Sequence, residues 1–148
     1  MSTGKSLKAR AVDLLSRREH TRLELKRRLA PFVQEGDDLD AVLDELAGKH
    51  WQSDSRFAEQ FATARGRKYG SLRIAQEMRE RGVERELIKE TLATQEDLTT
   101  AREIWQRKFG EAPADQKERL KQTRFLASRG FSAEIIRKVL QGLPDEEY

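Results

Sequence analysis

The feature that most constrains the fold is a helical spacing of apolar residues that recurs along the chain and is interrupted at short intervals by glycine. Apolar residues three and four positions apart form one face of a helix, and no segment alternates apolar and polar residues as a strand does. Thr21, with Glu24 three residues later, has the pattern of a capping box. The sequence therefore predicts an all-α protein made of short helices.

The apolar spacing predicts three groups of three helices. Glycine, proline and capping residues separate the helices within each group, and Ser53 or Asp54 is expected to cap the first helix of the middle group. The predicted ranges are about 7–18, 21–30 and 39–47 in the first group, 54–70, 71–81 and 84–93 in the second, and 98–109, 115–129 and 132–140 in the third.

An internal repeat supports this grouping. RKYG at 67–70 matches RKFG at 107–110, and the segment 78–92 matches 126–140 at Arg-Gly, Glu, Ile and Leu. The first group shares little more than the order of its helices. Each group alone buries little apolar surface, so neighbouring groups are expected to support one another. The sequence predicts an elongated, curved array of three tandem three-helix, helix-turn-helix-like repeats. Their boundaries are 1–50, 51–95 and 96–148, the last with an acidic C-terminal tail.

The composition argues against catalysis. Apolar residues make up 36% of the chain and charged residues 37%, so no cavity for a buried cofactor is expected. Cysteine is absent, and no nucleophile motif or phosphate-binding glycine loop occurs. His20 lies in a predicted connecting turn and His50 at a predicted helix end, and both are predicted to be solvated and not metal ligands. We therefore predict no enzyme, no cofactor and no metal site.

No apolar run has the length of a signal peptide core or a membrane span. A cytoplasmic protein that is neither exported by that route nor embedded in a membrane is the expectation.

Basic residues are the candidates for a functional site. The net charge is only +3, yet residues 1–31 hold nine Lys or Arg against three acids, and residues 35–54 hold seven acids against one Lys. Cations near the end of a helix stabilise its dipole, but that effect does not account for Arg73, near the start of a helix. The alternative is a basic ridge that binds phosphates or an acidic protein groove. The residues of this candidate site are Arg65, Arg67, Lys68, Arg73, Arg79 and Arg81.

Two further basic clusters have the same character, one in each outer repeat, which fits a partner with a repeating surface. They comprise Arg17, Arg18, Arg22, Lys26, Arg27 and Arg28 in the first repeat, and Lys117, Arg119, Lys121, Arg124 and Arg129 in the third.

Most aromatic residues lie on the apolar stripes and are predicted to be core. These are Phe57, Phe61, Trp105 and Phe125. Trp51 is expected to pack back against the helix that follows it, and Tyr69 is the best candidate for an exposed ring. The sequence shows no aromatic platform arranged for stacking bases.

Three segments together resemble the RecX family of bacterial regulators of the RecA recombinase. They are AVDLLSRREHTRLELKRRL at 11–29, DSRFAEQFATAR with YGSLRIAQEMRERGV between 54 and 83, and RFLASRGFSAEIIRKVL at 124–140. Thr21 stands where the family usually has Ser, and Met78 where it usually has Leu.

The resemblance implies a helical array that binds RecA within the groove of its filament on single-stranded DNA. It also implies inhibition of the recombinase, ATPase and coprotease activities, and so modulation of DNA repair, recombination and the SOS response. Weaker direct DNA binding is a further implication. By this resemblance the six basic residues of the middle repeat are expected to contact the partner. Phe57, Phe61, Ile74 and Met78 are expected to form the core of the middle repeat.

Two alternatives stay open. The first is a sequence-nonspecific DNA-binding protein that touches phosphates through basic helix-turn-helix-like units. The second is a hydrolase, for which the sequence nominates no residue. A monomer is expected in either case.

Overall fold

A computed structural model describes residues 4–141, and within that range the chain is all-α, as predicted, with a short 3₁₀ helix and no strand. The predicted acidic tail lies outside the described residues. The helices are α1 (Leu7–Leu15), α2 (Arg22–Leu29), the 3₁₀ helix (Ala30–Phe32), α3 (Leu39–Gly48), α4 (Asp54–Arg65), α5 (Ser71–Glu80), α6 (Arg85–Leu92), α7 (Asp97–Lys108), α8 (Gln116–Ser128) and α9 (Ala133–Gln141).

The ends of the helices follow local chemistry. Helix α2 has the predicted capping box, because Thr21 Oγ1 accepts from the backbone N–H of Glu24, whose carboxylate accepts from the N–H of Thr21. Ser53 Oγ accepts from the N–H of Arg56 at the start of α4. Helix α4 ends at Arg65, earlier than the predicted end at Gly70, because residues 66–69 form a tighter turn.

The chain divides into two units of packing. Unit 1 contains residues 1–60 and 78–88. Its main core is formed by α1, α2 and α3, whose apolar stripes face one another and bury leucine at the predicted helical spacing. The buried residues of this core are Leu7, Ala11, Leu25, Leu29, Leu43 and Leu46.

Unit 2 contains residues 61–77 and 89–148, and its main core lies among α7, α8 and α9. Trp105 is only 3% exposed, and its indole Nε1–H donates to Gln122 Oε1 at 2.8 Å, which satisfies both buried polar groups. The buried residues of this core are Ala101, Ile104, Trp105, Leu126, Phe131, Ile136, Val139 and Leu140.

A Gln-x-Asp segment connects neighbouring helices in unit 1. The carboxylate of Asp54 accepts from the backbone N–H of Arg22 at 2.9 Å, so it caps α2 and not the helix that it begins. Gln52 Nε2 donates to the carbonyl of His20 at 3.2 Å, in the turn before α2. Together these bonds fix the turn between α1 and α2.

A second Gln-x-Asp segment has the same role in unit 2. The carboxylate of Asp97 accepts from the backbone N–H of Ser71 at 3.2 Å and from its hydroxyl at 3.1 Å, at the start of α5. Gln95 Nε2 donates to the carbonyl of Gly66 at 3.3 Å, in the turn before α5. The same two side chains at the same spacing therefore make the same pair of contacts in both units, which gives the internal repeat a physical basis.

One turn residue differs from prediction. His20 is only 2% exposed, with its Nδ1 3.0 Å from the carbonyl oxygen of Arg18, and burial lowers its pKa below the ordinary value. The prediction of a solvated His20 is wrong because the Gln52 contact covers this turn. His50 is exposed, as predicted. Trp51 is 46% exposed, so nearly half of this side chain is accessible to solvent.

Candidate basic contact site

Three arginines of unit 2 surround the ring of Tyr69. Their guanidinium carbons lie 4.4 Å (Arg65), 4.1 Å (Arg73) and 5.5 Å (Arg129) from the ring centroid. A guanidinium this close to an aromatic ring is attracted to its negative face. We call Tyr69, Glu77 and these three arginines the Tyr69 cluster. Tyr69 itself is half-buried and is not the exposed ring suggested by its position in the sequence.

Glu77 is the carboxylate of this cluster. It accepts from Arg65 Nε at 2.9 Å and Nη2 at 2.7 Å, a two-bonded pair, and from Arg73 Nε at 3.3 Å. Burial raises the pKa of Glu77, but the hydrogen bonds from Arg65 and Arg73 outweigh it and hold the pKa below its ordinary value. Glu77 therefore pairs with two of the three guanidinium groups, and the cluster keeps a positive charge.

Two glycine turns bring the cluster together. The N–H of Gly70 donates to the carbonyl of Arg129 at 2.8 Å, and the N–H of Leu72 donates to the carbonyl of Gly130 at 3.1 Å. A Cβ on Gly130 would lie 2.4 Å from Arg73 Cβ, and the φ of Gly130 is +98°. Only glycine permits this approach without strain, so the turn before α5 and the turn after α8 meet backbone to backbone.

Side-chain bonds to backbone carbonyls hold two of the arginines in place. Arg73 Nη1 donates to the carbonyl of Ser128 at 3.2 Å, and Arg129 Nη1 donates to the carbonyl of Lys68 at 3.1 Å. These bonds run in opposite directions across the two turns. The guanidinium groups are therefore preorganised, and less conformational entropy is lost when they bind an anion.

The cluster continues along α8. The guanidinium of Arg129 also lies 5.0 Å from the ring centroid of Phe125, and Lys108 Nζ lies 5.2 Å from the same centroid. Phe125 and Phe109 meet edge to face at 5.5 Å. The aromatic residue of RKYG, Tyr69, lies beside Arg129. The aromatic residue of RKFG, Phe109, packs against Phe125, which Arg129 also contacts.

The four candidate residues of unit 2 divide into two pairs. Arg65 and Arg73 belong to the Tyr69 cluster, where they are half-buried. Arg67 and Lys68 are exposed in the turn after α4, and neither side chain forms an ion pair or hydrogen bond within residues 4–141. The site thus has a fixed inner pair and an outer pair open to solvent.

The remaining two candidate residues lie in unit 1. Arg81 Nε is 3.6 Å from Glu24 Oε2, and its backbone carbonyl accepts from Thr21 Oγ1 at 2.6 Å. Arg79 is exposed on the last turn of α5, where a cation stabilises the helix dipole. Gly82 follows at a φ of +86°, in the turn that the sequence predicts.

Arg73 has partners within unit 2 that its place in the sequence does not reveal. A cation near a helix start suggests an external partner, but Glu77, Ser128 and Tyr69 bind Arg73 inside the unit. Arg129, which the sequence places in a separate cluster, joins the same ring. The signal that could have joined them is the pair of glycines, Gly70 and Gly130, each of which lies in a repeated segment.

Three of the six residues in the basic cluster of the first repeat form ion pairs within residues 4–141. Arg18 pairs with Glu24 at 3.1 Å, Arg22 with Asp44 at 2.8 Å and Lys26 with Asp40 at 3.5 Å. Exposed pairs of this kind contribute little to stability, at most about 1 kcal/mol each. They do lower the local positive charge, so this cluster is a weaker anion site than its sequence indicates.

Neither a metal-binding group nor a membrane span is found among the described residues. Within residues 4–141, no three His, Asp or Glu side chains lie close enough together to hold a metal ion. None of the helices in this range is sufficiently long and apolar to cross a bilayer.

Comparisons with known proteins agree with the architecture. RecX, second three-helix domain, matches residues 53–92, and RecX, third three-helix domain, matches residues 95–140. The regulatory protein RecX of Chromobacterium violaceum is 60% identical over 145 residues, which cover 98% of this chain and 95% of that protein. The chain belongs to the RecX family.

Other RecX proteins extend the comparison. The regulatory protein RecX of Ralstonia nicotianae is 42% identical over 93% of this chain and 87% of its own length. The crystal structure of RecX from Lactobacillus salivarius superposes with a TM-score of 0.75, with 19% identity, over 91% of this chain and 92% of that chain. The relatives carry the name of a regulatory protein, and the structural likeness shows the shared helical repeat fold.

Proposed function

We propose that this protein binds RecA and its filament on single-stranded DNA and inhibits the recombinase, ATPase and coprotease activities. It would thereby modulate DNA repair, homologous recombination and the SOS response. The observation that carries the proposal is the 60% identity with a regulatory protein RecX across 98% of the chain. Action through binding, without catalysis, also fits a site made of arginines with a single carboxylate.

The proposed contact surface contains Arg65, Arg67, Lys68, Arg73, Arg79 and Arg81. Within unit 2, Arg67 and Lys68 are its leading contacts, because both are exposed and their charges are unpaired among residues 4–141. Arg65 and Arg73 support them from the Tyr69 cluster, where Glu77 fixes both guanidinium groups. Arg129 joins this surface on the same grounds.

The chemistry of the surface suits anionic groups. Planar guanidinium groups bind carboxylates and phosphates through paired hydrogen bonds, and a fixed group loses less entropy on binding than a free one. A filament of a protein on DNA offers acidic side chains and phosphates in a repeating array. Binding to that array would inhibit RecA by occupancy and by changing the stability of the filament.

Arg79 and Arg81 have a smaller proposed part. Arg81 lies near Glu24, and Arg79 belongs to the last turn of α5, so part of the charge of each serves unit 1 itself. Their removal is expected to weaken binding less than removal of Arg67 and Lys68.

A sequence-nonspecific DNA-binding protein is the second candidate. The convergence of three arginines around Tyr69 favours this function. Such a cluster can bind phosphates of naked DNA as well as phosphates of DNA in a RecA filament. The two functions differ in salt dependence. Binding of naked single-stranded DNA should weaken log-linearly with salt, with a slope of about −0.7 for each phosphate bound.

We also propose three modules at 1–50, 51–95 and 96–148 in a monomeric protein of the cytoplasm. The family matches at 53–92 and 95–140 support the second and third modules. The Gln-x-Asp segments at 52–54 and 95–97 lie at these same positions and support them independently.

The proposal is tested by titrating RecA ATPase on single-stranded DNA with the wild type and with Arg67→Glu/Lys68→Glu. The double variant should need about five- to thirtyfold more protein for half-inhibition, since each exposed ion pair contributes up to about 1 kcal/mol. Arg85→Glu/Lys89→Glu is the matched control, because it reverses two exposed charges on α6 that are not part of the proposed contact surface. Equal effects of the two variants, or no inhibition by the wild type, would contradict the proposal.

A further inference from the structure

Trp51 presents an exposed indole in unit 1 that neither the core nor the Tyr69 cluster uses. Its side chain lies between two lysines, with Lys49 Nζ 4.8 Å and Lys8 Nζ 5.6 Å from the ring centroid. Nearly half of Trp51 is accessible to solvent. Tryptophan is usually well buried, and an accessible one beside cations is characteristic of a contact site.

The backbone that carries Trp51 is fixed. Its N–H donates to the carbonyl of Leu46 at 3.0 Å, and its carbonyl accepts from Arg56 Nη2 at 3.2 Å. Arg56 also donates to the carbonyl of His50 at 3.1 Å and pairs with Glu19 at 2.6 Å. The accessibility of the ring is therefore a property of a firmly held turn and does not come from a loose loop.

The same turn stores backbone strain. His50 has a φ of +63°, and it is the one non-glycine residue with a positive φ in residues 4–141. Such a conformation persists only where surrounding bonds impose it, and it recurs at ligand contacts. Here it lies directly before the exposed indole.

Bonds to Glu45 place the ammonium groups of the two lysines close to the ring, and both side chains keep enough exposure to rotate. Both donate to Glu45, Lys8 at 2.6 Å and Lys49 at 2.9 Å, and these bonds lower the pKa of Glu45 to about 2. Two ammonium groups face one carboxylate, so the group keeps a net positive charge. Because both lysine side chains are partly exposed, they can rotate toward a bound anion while the backbone stays in place.

We propose that Trp51, Lys8 and Lys49 form a contact site for single-stranded nucleic acid. The indole stacks on one unpaired base, and the two ammonium groups bind phosphates on either side of it. The surroundings of the ring favour this partner over a protein, because lysines and a carboxylate flank it. A protein hot spot lies in a well-packed pocket whose surrounding contacts exclude water, whereas a base with its phosphates needs an aromatic face beside cations.

The inference extends the proposed function but does not depend on binding to RecA. The sequence alone does not indicate an aromatic platform, since the position of Trp51 before a helix predicts packing against that helix. The hydrogen bonds of Arg56 to the turn and the exposure of the ring supply the missing information.

The two tryptophans of the chain provide the experiment. Trp105 is buried and bonded to Gln122, so quenching of emission by a ligand on the surface reports Trp51. The full-length protein is titrated with a 15-nucleotide dT oligonucleotide and with a phosphodiester of the same length made of abasic sites. The dT oligonucleotide should quench the wild type and Trp105→Phe, and should leave Trp51→Phe unquenched.

Affinity, measured by oligonucleotide anisotropy, separates stacking from charge. Trp51→Ala should bind dT about fivefold more weakly or worse, as expected for the loss of one aromatic–base stack, and Trp51→Phe should lose less. The abasic phosphodiester should bind all three proteins alike. If Trp51→Ala lowers the melting temperature, the comparison of dT and abasic binding is made with Trp51→Phe, which keeps an aromatic ring.

The charged residues give a second readout. Lys8→Gln/Lys49→Gln should reduce the salt slope by about 1.4, at roughly 0.7 for each phosphate that the variant no longer binds. Glu45→Gln removes the competing carboxylate and should strengthen binding, which a purely structural role of Glu45 does not predict.

The proposal is overturned if dT fails to quench the wild type, if Trp105→Phe abolishes the quenching, or if Trp51→Ala weakens dT and abasic binding equally. These outcomes leave the proposed regulation of RecA untouched, because filament binding by Trp51→Ala is measured separately. Conversely, a wild type that ignores RecA filaments but gives the expected oligonucleotide results would refute only the proposed function.

Discussion

Replacing Gly130 with alanine tests the contact that assembles the Tyr69 cluster. The new Cβ would lie 2.4 Å from Arg73 Cβ and 2.7 Å from Arg73 N, distances at which one of the two turns must move. The backbone cannot relax easily, because Gly70 and Leu72 both donate to carbonyls of the 129–130 turn. We therefore expect α5 to shift away from the end of α8 and Arg73 to lose its bond to Ser128.

The magnitude has two parts. Placing a non-glycine residue at a φ of +98° costs about 1–2 kcal/mol. Forcing an extra methyl group into a closely packed contact costs about 1–3 kcal/mol more. The free energy of unfolding should fall by about 2–5 kcal/mol, the sum of these two terms.

Gly36→Ala is the matched control. Gly36 has a φ of +90°, but a Cβ there would meet nothing within 4 Å, so only the backbone cost of about 1–2 kcal/mol applies. Both variants are compared by urea denaturation in a Trp51→Phe background, where the emission of Trp105 reports unit 2. For Gly36→Ala, which lies in unit 1, backbone circular dichroism gives the corresponding transition. Equal destabilisation by the two substitutions would refute the close approach of the turns.

Two further predictions concern unit 2. Asp97→Ala removes the carboxylate that caps α5 through Ser71, and it should lower the free energy of unfolding by about 0.5–2 kcal/mol. Urea denaturation measures this change, and an unchanged midpoint would contradict the capping role. The pKa of Glu77 lies below its ordinary value of 4.5, so its contribution is fully present above about pH 4.5 and is lost as the pH falls through the lower folded value. Glu77→Gln should therefore flatten the fall of the melting temperature as the pH is lowered below about 4.5. An unchanged pH profile would contradict its pairing with Arg65 and Arg73.

The helices are predictable from the sequence because each carries its own local signals. The capping box at Thr21 and Glu24 has the expected geometry, and the leucine stripes of α1 to α3 form the core of unit 1. Helix ends are less predictable. The end of α4 at Arg65 depends on a turn whose shape is set by its contact with residues 129–130.

The candidate site is predictable in composition but not in arrangement. Charge alone nominates six basic residues, and it does not distinguish Arg67 and Lys68, which face solvent, from Arg65 and Arg73, which bind Glu77. That distinction depends on residues far apart in sequence, such as Arg73 and Ser128. Charge reversal of Arg73 would break bonds within unit 2 as well as any bond to a partner, so the binding test reverses only Arg67 and Lys68.

Tertiary contacts also explain His20 and Trp51. Both lie in turns, where a solvated histidine and a tryptophan packed against its helix are reasonable expectations. Gln52 covers His20, and Arg56 holds the backbone of Trp51 so that its ring faces solvent. Neither glutamine nor arginine carries a sequence signal that predicts such a bond.

Cosedimentation with preassembled RecA filaments tests the central claim most directly. Filaments are formed on single-stranded DNA with a nonhydrolysable ATP analogue, so that no naked DNA remains. They are mixed with the wild type, Arg67→Glu/Lys68→Glu or Arg85→Glu/Lys89→Glu. We predict that the wild type and the second variant sediment with the filaments. The first variant should bind about five- to thirtyfold more weakly at an unchanged melting temperature. A wild type that binds naked DNA but stays in the supernatant when mixed with the filaments would contradict the proposed function.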